Sequence, residues 1–140
     1  LTFETKEMVM WRILIVDDEP NNRKLLVEVL GAKASCEQAQ DGREALEIYQ
    51  ASVKHDCPFD VILLDVAMPD IDGIEVLKRI RESEDGRGIP WGKGIPVIMV
   101  TAFKQPFMAS FREGADDYIL KPIDPDQLIK KLETKLSEVK

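Results

Sequence analysis

Histidine is almost absent from this chain. The one imidazole, His55, stands in the polar stretch Lys54-His55-Asp56 beside Pro58, where a solvated loop position accounts for it. A histidine ligand or general base is therefore not expected. Cysteine is nearly as scarce: Cys36 and Cys57 form neither a C-x-x-C pair nor a Cys/His zinc spacing. No disulfide framework is expected, and both are read as reduced thiols. Positive charge is in deficit as well, since 19 Lys and Arg against 26 Asp and Glu leave a net charge of −7. With no basic stripe to offset it, direct nucleic-acid binding by this chain is disfavoured. Long apolar runs are missing too. Arg12 interrupts Met8 to Val16, and no stretch approaches the roughly 20 residues of a spanning helix. Neither a membrane span nor a signal peptide is read, so the expected location is cytoplasmic.

What is present suits one globular domain. The 140 residues are 44% hydrophobic and 32% charged, enough for a real core. Residues 1–10 have no clear period and read as a leader or linker before a domain spanning 11–140. Strand and helix patterns then alternate. Arg12 to Val16 is β-branched and apolar, a buried strand; Pro20 opens a helix that Gly31 ends. Ala34 to Ala39 is a weaker strand. Asp41-x-x-Glu44 starts a helix through about Val53, with Ala45, Leu46, Ile48 and Tyr49 on its apolar face. Val61 to Leu64 is a strand buried on both faces, followed by the loop 65–72 and a helix over about 73–82. Ile95 to Val100 is another apolar strand, a short helix lies between Pro106 and Gly114, and Asp117 to Leu120 is the last strand. Asp124-Pro125-Asp126-Gln127 opens a final helix whose stripe is Leu128, Ile129, Leu132 and Leu136. Such a (βα)5 chain folds as a doubly wound five-stranded parallel sheet, because right-handed crossovers cover both faces. Residues 83–94, rich in glycine and charge, read as a long loop, with Trp91 expected to pack down on the domain.

Polar residues collect at the ends of these strands. Asp17, Asp18 and Glu19 follow the first strand and Asp65 the third; Thr101 ends the fourth and Lys121 the fifth. In a parallel sheet these carboxyl ends share one edge, where open α/β sheets hold their crevice. Each residue alone has an ordinary reading as a cap, turn or surface group; the conjunction does not. Clustered carboxylates repel one another and call for a hard divalent cation such as Mg2+, which favours few protein oxygens plus a phosphate. Lys121 and Thr101 could hold phosphoryl oxygens, and a carboxylate between them could act as nucleophile. Phosphoryl transfer relies on positioning and charge more than on proton transfer, which fits the shortage of histidine.

These residues carry a resemblance. Ile13-Leu14-Ile15-Val16-Asp17-Asp18-Glu19, Asp65-Val66-Ala67-Met68-Pro69-Asp70-Ile71-Asp72-Gly73, Val100-Thr101-Ala102 and Gly114 to Pro122 resemble the receiver domain of two-component response regulators, over about residues 11–139. The resemblance implies a flavodoxin-like receiver fold. It implies that Asp65 is the phosphoacceptor, taking its phosphoryl group from a sensor histidine kinase or a histidine phosphotransfer protein. It implies Mg2+ on Asp18, Asp65 and the Ala67 carbonyl, with Asp17 acting through a bound water. Lys121 would contact the phosphoryl oxygens beside a cis bond to Pro122. Thr101 and Tyr118 would be the switch residues, and residues 104–139 the output face, with a phosphorylation-dependent homodimer as one output. Phe103, with Ala67, would tune access of the hydrolytic water and hence acyl-phosphate lifetime. The chain would be a stand-alone receiver or one cut from a larger regulator or hybrid kinase.

Two other classes fit less well. A phosphatase of the haloacid-dehalogenase type also uses a strand-end aspartate with Mg2+. It needs an acid two residues later, where this chain has Ala67. A flavodoxin-like cofactor carrier needs a phosphate loop after the first strand, where this chain has three acids.

Overall fold

The computed structural model describes residues 10–102 and 106–139. Among them the elements alternate: β1 (Trp11–Val16), α1 (Pro20–Leu30), β2 (Ala34–Ala39), α2 (Gly42–Lys54), β3 (Val61–Asp65), α3 (Gly73–Gly86), β4 (Val97–Thr101), α4 (Pro106–Arg112), β5 (Asp117–Leu120) and α5 (Pro125–Val139). Phe103 and residues 1–9 of the expected leader lie outside the described residues. All five strands are parallel in the order β2-β1-β3-β4-β5. The expected doubly wound sheet is therefore present.

Alternation along each strand divides the core in two. Leu14, Val16, Ile62, Leu64, Val97 and Met99 meet Ala45 and Tyr49 of α2 and Val76, Leu77 and Ile80 of α3. Ile13, Ile15, Val61, Leu63, Ile98 and Val100 meet Leu26 and Leu30 of α1 and Leu128, Leu132 and Leu136 of α5. A fully buried Leu or Ile of this kind is worth about 1.5–3 kcal/mol. That outweighs an exposed ion pair such as Arg43–Asp70, worth at most about 1 kcal/mol. The two-sided core therefore sets the architecture.

Helix starts follow the local caps. Asp41 Oδ1 accepts from the Glu44 N–H at 2.8 Å and Asp72 Oδ1 from the Glu75 N–H at 2.9 Å. Asp124 Oδ1 accepts from the Asp126 N–H at 3.0 Å. The Glu44 carboxylate reaches back to the Gln40 N–H at 3.0 Å, one residue before the cap. Helix α1 begins at Pro20 and gives way at Gly31 to a 3-10 turn, Gly31–Lys33.

The connection after α3 departs from expectation. Residues 83–86, read as loop, continue the helix to Gly86. The cause is Glu84, a buried carboxylate that accepts from Arg81 Nη1 at 2.7 Å and from the Ile95 N–H at 2.6 Å. Arg81 Nη1 also donates to the Ile95 carbonyl at 2.8 Å. Both backbone groups of Ile95 are thus taken by side chains, and β4 starts at Val97 rather than Ile95. Trp91 is not packed down as expected, being 70% exposed. Its ring edge rests against Gly114, where an added Cβ would meet Cη2 at 3.0 Å. The Arg81 guanidinium also lies against that glycine, while the turn closed by the Lys93 N–H on the Pro90 carbonyl at 3.0 Å carries the indole outward.

Replacing Arg81 with Met should destabilise the fold by about 3–5 kcal/mol, because it strands a buried carboxylate. The double replacement Arg81→Met, Glu84→Met should recover part of that loss in urea unfolding. A single-variant loss below about 1 kcal/mol would show that Arg81 does not organise this corner.

Candidate functional site

The strand order puts β1 beside β3, with the chain winding in opposite directions from them. The crevice of such a sheet opens at the carboxyl ends of those two strands. Asp17 follows β1 and extends its pairing with β2, its N–H donating to the Ala39 carbonyl at 3.2 Å. Asp65 is the last residue of β3. Both are buried, at 1% and 4% exposure, whereas Asp18 is exposed. One carboxylate oxygen from each of Asp17, Asp18 and Asp65 falls in a group no wider than 4.8 Å. Among the described residues no other group of three or more carboxylate, imidazole or thiol ligands comes so close together.

Backbone proximity shapes this edge. A Cβ added at Gly73 would run into the Asp65 carbonyl oxygen, and the Gly73 N–H donates to the Val66 carbonyl at 2.9 Å. The start of α3 can therefore lie directly against the end of β3. Gly42 plays a similar part, since a Cβ there would sit 2.7 Å from the Ile71 carbonyl. In the loop between these contacts, Asp70 takes a positive φ of 69°.

One cation answers the carboxylates. Lys121 Nζ lies 3.0 Å from Asp17 Oδ2 and 3.3 Å from Asp65 Oδ2. Its own N–H donates to the Thr101 carbonyl at 2.8 Å, and the bond to Pro122 is cis. Asp17 Oδ1 is taken by the Glu19 N–H at 2.9 Å. Glu19 itself is exposed and forms no side-chain cap on α1. Thr101 is buried at the end of β4, on the strand between β3 and β5. Burial first, then the charge of Asp17, pushes the Asp65 carboxyl above the usual carboxylate range, against the opposing pull of Lys121 and the Ala67 N–H. For Lys121, burial pulls the ammonium down. The hydrogen bond to Asp17 and the charges of Asp65 and Asp17 outweigh it, so the net shift is upward.

Three acids facing one ammonium leave residual negative charge on oxygen donors alone. That donor set suits a hard divalent cation. A cavity of about 360 Å3 lies elsewhere. It opens at the amino edge of the sheet, lined by Trp11, Phe59, Ile95 and Pro96 among others. A small cation or phosphoryl group needs no deep cavity, so the charge cluster is the better candidate.

The structure brings Asp17, Asp18, Asp65 and Lys121 together as the sequence suggests, with Thr101 and Ala67 adjoining. Tyr118 stands apart, pairing with Met99 while Thr101 pairs with Leu120. It is half-buried, and Lys131 of α5 sits 5.1 Å over its ring and donates to its carbonyl at 2.9 Å. Lys131 also pairs with Asp117 at 2.9 Å. Sequence reading missed Lys131 and also Arg23, whose Nη1 donates to the Asp17 carbonyl at 2.7 Å. The only signal for Lys131 was its place beside the apolar stripe of the last helix.

A raised Asp65 pKa means that the folded chain binds this proton more tightly than the unfolded one. The stability contributed by this group therefore falls as pH climbs out of the ordinary carboxylate range. In chelator at neutral pH, Asp65→Asn should raise Tm by a few degrees and remove that part of the pH dependence. A lower Tm would mean that the carboxylate stabilises the metal-free fold.

Residues 13–133 match the family model described as the response regulator receiver domain. The chain is 39% identical over 122 residues to the regulatory protein AtoC of Escherichia coli, covering 84% of this chain and 23% of that protein. It is 34% identical over 136 residues to hybrid signal transduction histidine kinase I of Dictyostelium discoideum, covering 93% of this chain and 7% of the kinase. It thus spans a small part of the length of these two relatives. A solved complex of CheX, CheY, BeF3 and Mg2+ from Borrelia burgdorferi matches at a TM-score of 0.78 and 27% identity. That match covers 94% of this chain and 92% of the other.

Proposed function

This chain belongs to the response regulator receiver domain family, and on that footing we propose that it is a phosphorylation-controlled switch with Asp65 as phosphoacceptor. The observation that carries this reading is the Lys121 ammonium set between Asp17 and Asp65, with Asp18 alongside. The phosphoryl group would come from a phosphohistidine of a sensor kinase or phosphotransfer protein. The Asp65 carboxylate oxygen attacks phosphorus, a P–O bond forms, and the P–N bond breaks with its electron pair left on the imidazole. Lys121 neutralises the incoming phosphoryl oxygens from the position it already holds. Thr101, buried at the end of the adjacent strand, turns its hydroxyl toward them. Asp18, Asp65 and the Ala67 carbonyl would hold Mg2+, with Asp17 acting through a bound water, and the ion would supply the remaining neutralisation of the phosphoryl charge.

The readout runs through β4 and β5. Lys121 is tied by its N–H to the Thr101 carbonyl, so a change in either is felt across the Thr101–Leu120 pairing. Tyr118 lies two residues up the same strand, under Lys131. A shift of Tyr118 would trade that contact for one nearer Thr101, a local charge event biasing a two-state element. We assign the receiver to residues 11–140, with residues 1–10 as leader or linker and a cytoplasmic setting. Whether it works alone, in a larger regulator or in a hybrid kinase sets the output. The net charge of −7 argues that any nucleic-acid contact belongs to another domain or partner.

Incubation with Mg2+ and acetyl phosphate should add one acid-stable, base-labile phosphate, visible by mass spectrometry. Asp65→Asn should lose it, and an undiminished adduct would place the chemistry on another residue. With beryllofluoride as phosphate mimic, sedimentation should shift toward a dimer. Identical sedimentation with and without it would remove the dimer from this reading and leave the switch.

A further inference from the structure

We propose that Arg23 is a positioning residue for the acidic pair, holding Asp17 and Asp18 from behind through the Asp17 carbonyl. This inference rests on reading the cluster as a Mg2+-assisted phosphoryl site. Arg23 stands on α1, half-buried, and its guanidinium reaches two separate segments. Nη1 donates to the Asp17 carbonyl oxygen at 2.7 Å, and Nε donates to Gln38 Oε1 at 3.3 Å. Gln38 lies near the carboxyl end of the edge strand β2. One planar fork therefore spans the end of β2 and the turn after β1.

Every polar atom of Asp17 is engaged. Its N–H meets the Ala39 carbonyl, Oδ1 meets the Glu19 N–H, Oδ2 meets Lys121, and the carbonyl meets Arg23. The carbonyl bond matters most for the next residue. Asp18 is exposed, with no hydrogen bond or ion pair to its side chain among the described residues. With no side-chain partner to hold it, Asp18 is placed only by its backbone, and the Asp17–Asp18 peptide helps set where its Cα–Cβ bond leaves the chain. Arg23 holds that peptide. It also brings positive charge beside Asp17 without occupying a carboxylate oxygen, so Asp17 Oδ2 stays with Lys121 and the Asp18 carboxylate is left to a cation.

Two physical effects predict opposite signs for its removal. If Arg23 acts only as a nearby positive charge, its loss should tighten cation binding. If it positions the pair, its loss should weaken binding, as when a residue orienting a metal ligand is removed. A Lys in its place keeps the charge but cannot fork to both acceptors.

The test compares the intact chain with Arg23→Ala and Arg23→Lys, using Mg2+ titration by calorimetry. A second arm measures hydrogen exchange of the Asp17 and Glu19 amides, both hydrogen-bonded here, in chelator. Arg23→Ala should weaken Mg2+ binding about 10-fold and speed exchange at those amides, with helix content unchanged. Arg23→Lys should recover part of both. Unchanged or tighter Mg2+ binding in Arg23→Ala, or unchanged amide exchange, overturns the proposal. If the parent chain neither binds Mg2+ nor takes a phosphate from acetyl phosphate, the phosphoryl reading fails by itself, and exchange still decides the role of Arg23. Should Arg23→Ala not fold, Gln38→Ala removes one arm of the fork. It should move both readouts in the same direction by less, and no movement would overturn the proposal.

Discussion

The Lys121 ammonium is the constraint on which the carboxyl edge of this sheet depends. Two carboxylates stand buried at the ends of adjacent central strands, and nothing in the apolar core beneath could compensate them. Burying such a pair without a cation is far more costly than forming a surface ion pair. Lys121 reaches both and is itself anchored to the strand between β3 and β5 through Thr101. Yet one ammonium cannot neutralise three acids. The balance is left short, and the residual negative charge sits on oxygen donors of the kind a hard divalent cation prefers. Charge, rather than shape, gives this site its chemistry.

The two edges of the sheet are built differently. At the amino edge Arg81 reaches Glu84, Ile95, Gly114 and Asp116, stitching α3, β4 and the entry to β5 into one corner. At the carboxyl edge the fit comes from glycine, where helix and loop backbones meet with no room for a methyl group. A region held by many buried charge-assisted bonds resists opening, whereas one whose groups are shared among a few donors is easier to rearrange.

Much of this was legible from the chain alone, for identifiable reasons. Strand-end acids could be gathered into one site because parallel topology brings Asp17, Asp65, Thr101 and Lys121 to one edge whatever the packing details. Caps such as Asp41 and Asp72 act over three or four residues, and such short-range bonds leave a pattern. What the sequence hid were long-range bonds from side chain to backbone. Glu84 reads as a loop acid until Arg81 and the Ile95 N–H are seen to enclose it, and that enclosure lengthens α3 and delays β4. Arg23 reads as a solvated helix residue until its fork is seen on the Asp17 carbonyl. Trp91 is expected to pack down on the domain, but a turn carries it outward.

The indole of Trp91 has a practical consequence. Largely bathed in solvent, it touches the domain at Gly114, the glycine that turns α4 into β5 with a φ of +101°. Its emission wavelength follows the water and charge around it, so any displacement of that corner changes its colour. The other indole, Trp11, is half-buried at the start of β1. The molecule therefore carries its own optical gauge, mounted at the opposite edge of the sheet from Asp65, and its corner can be watched in real time without attaching a dye.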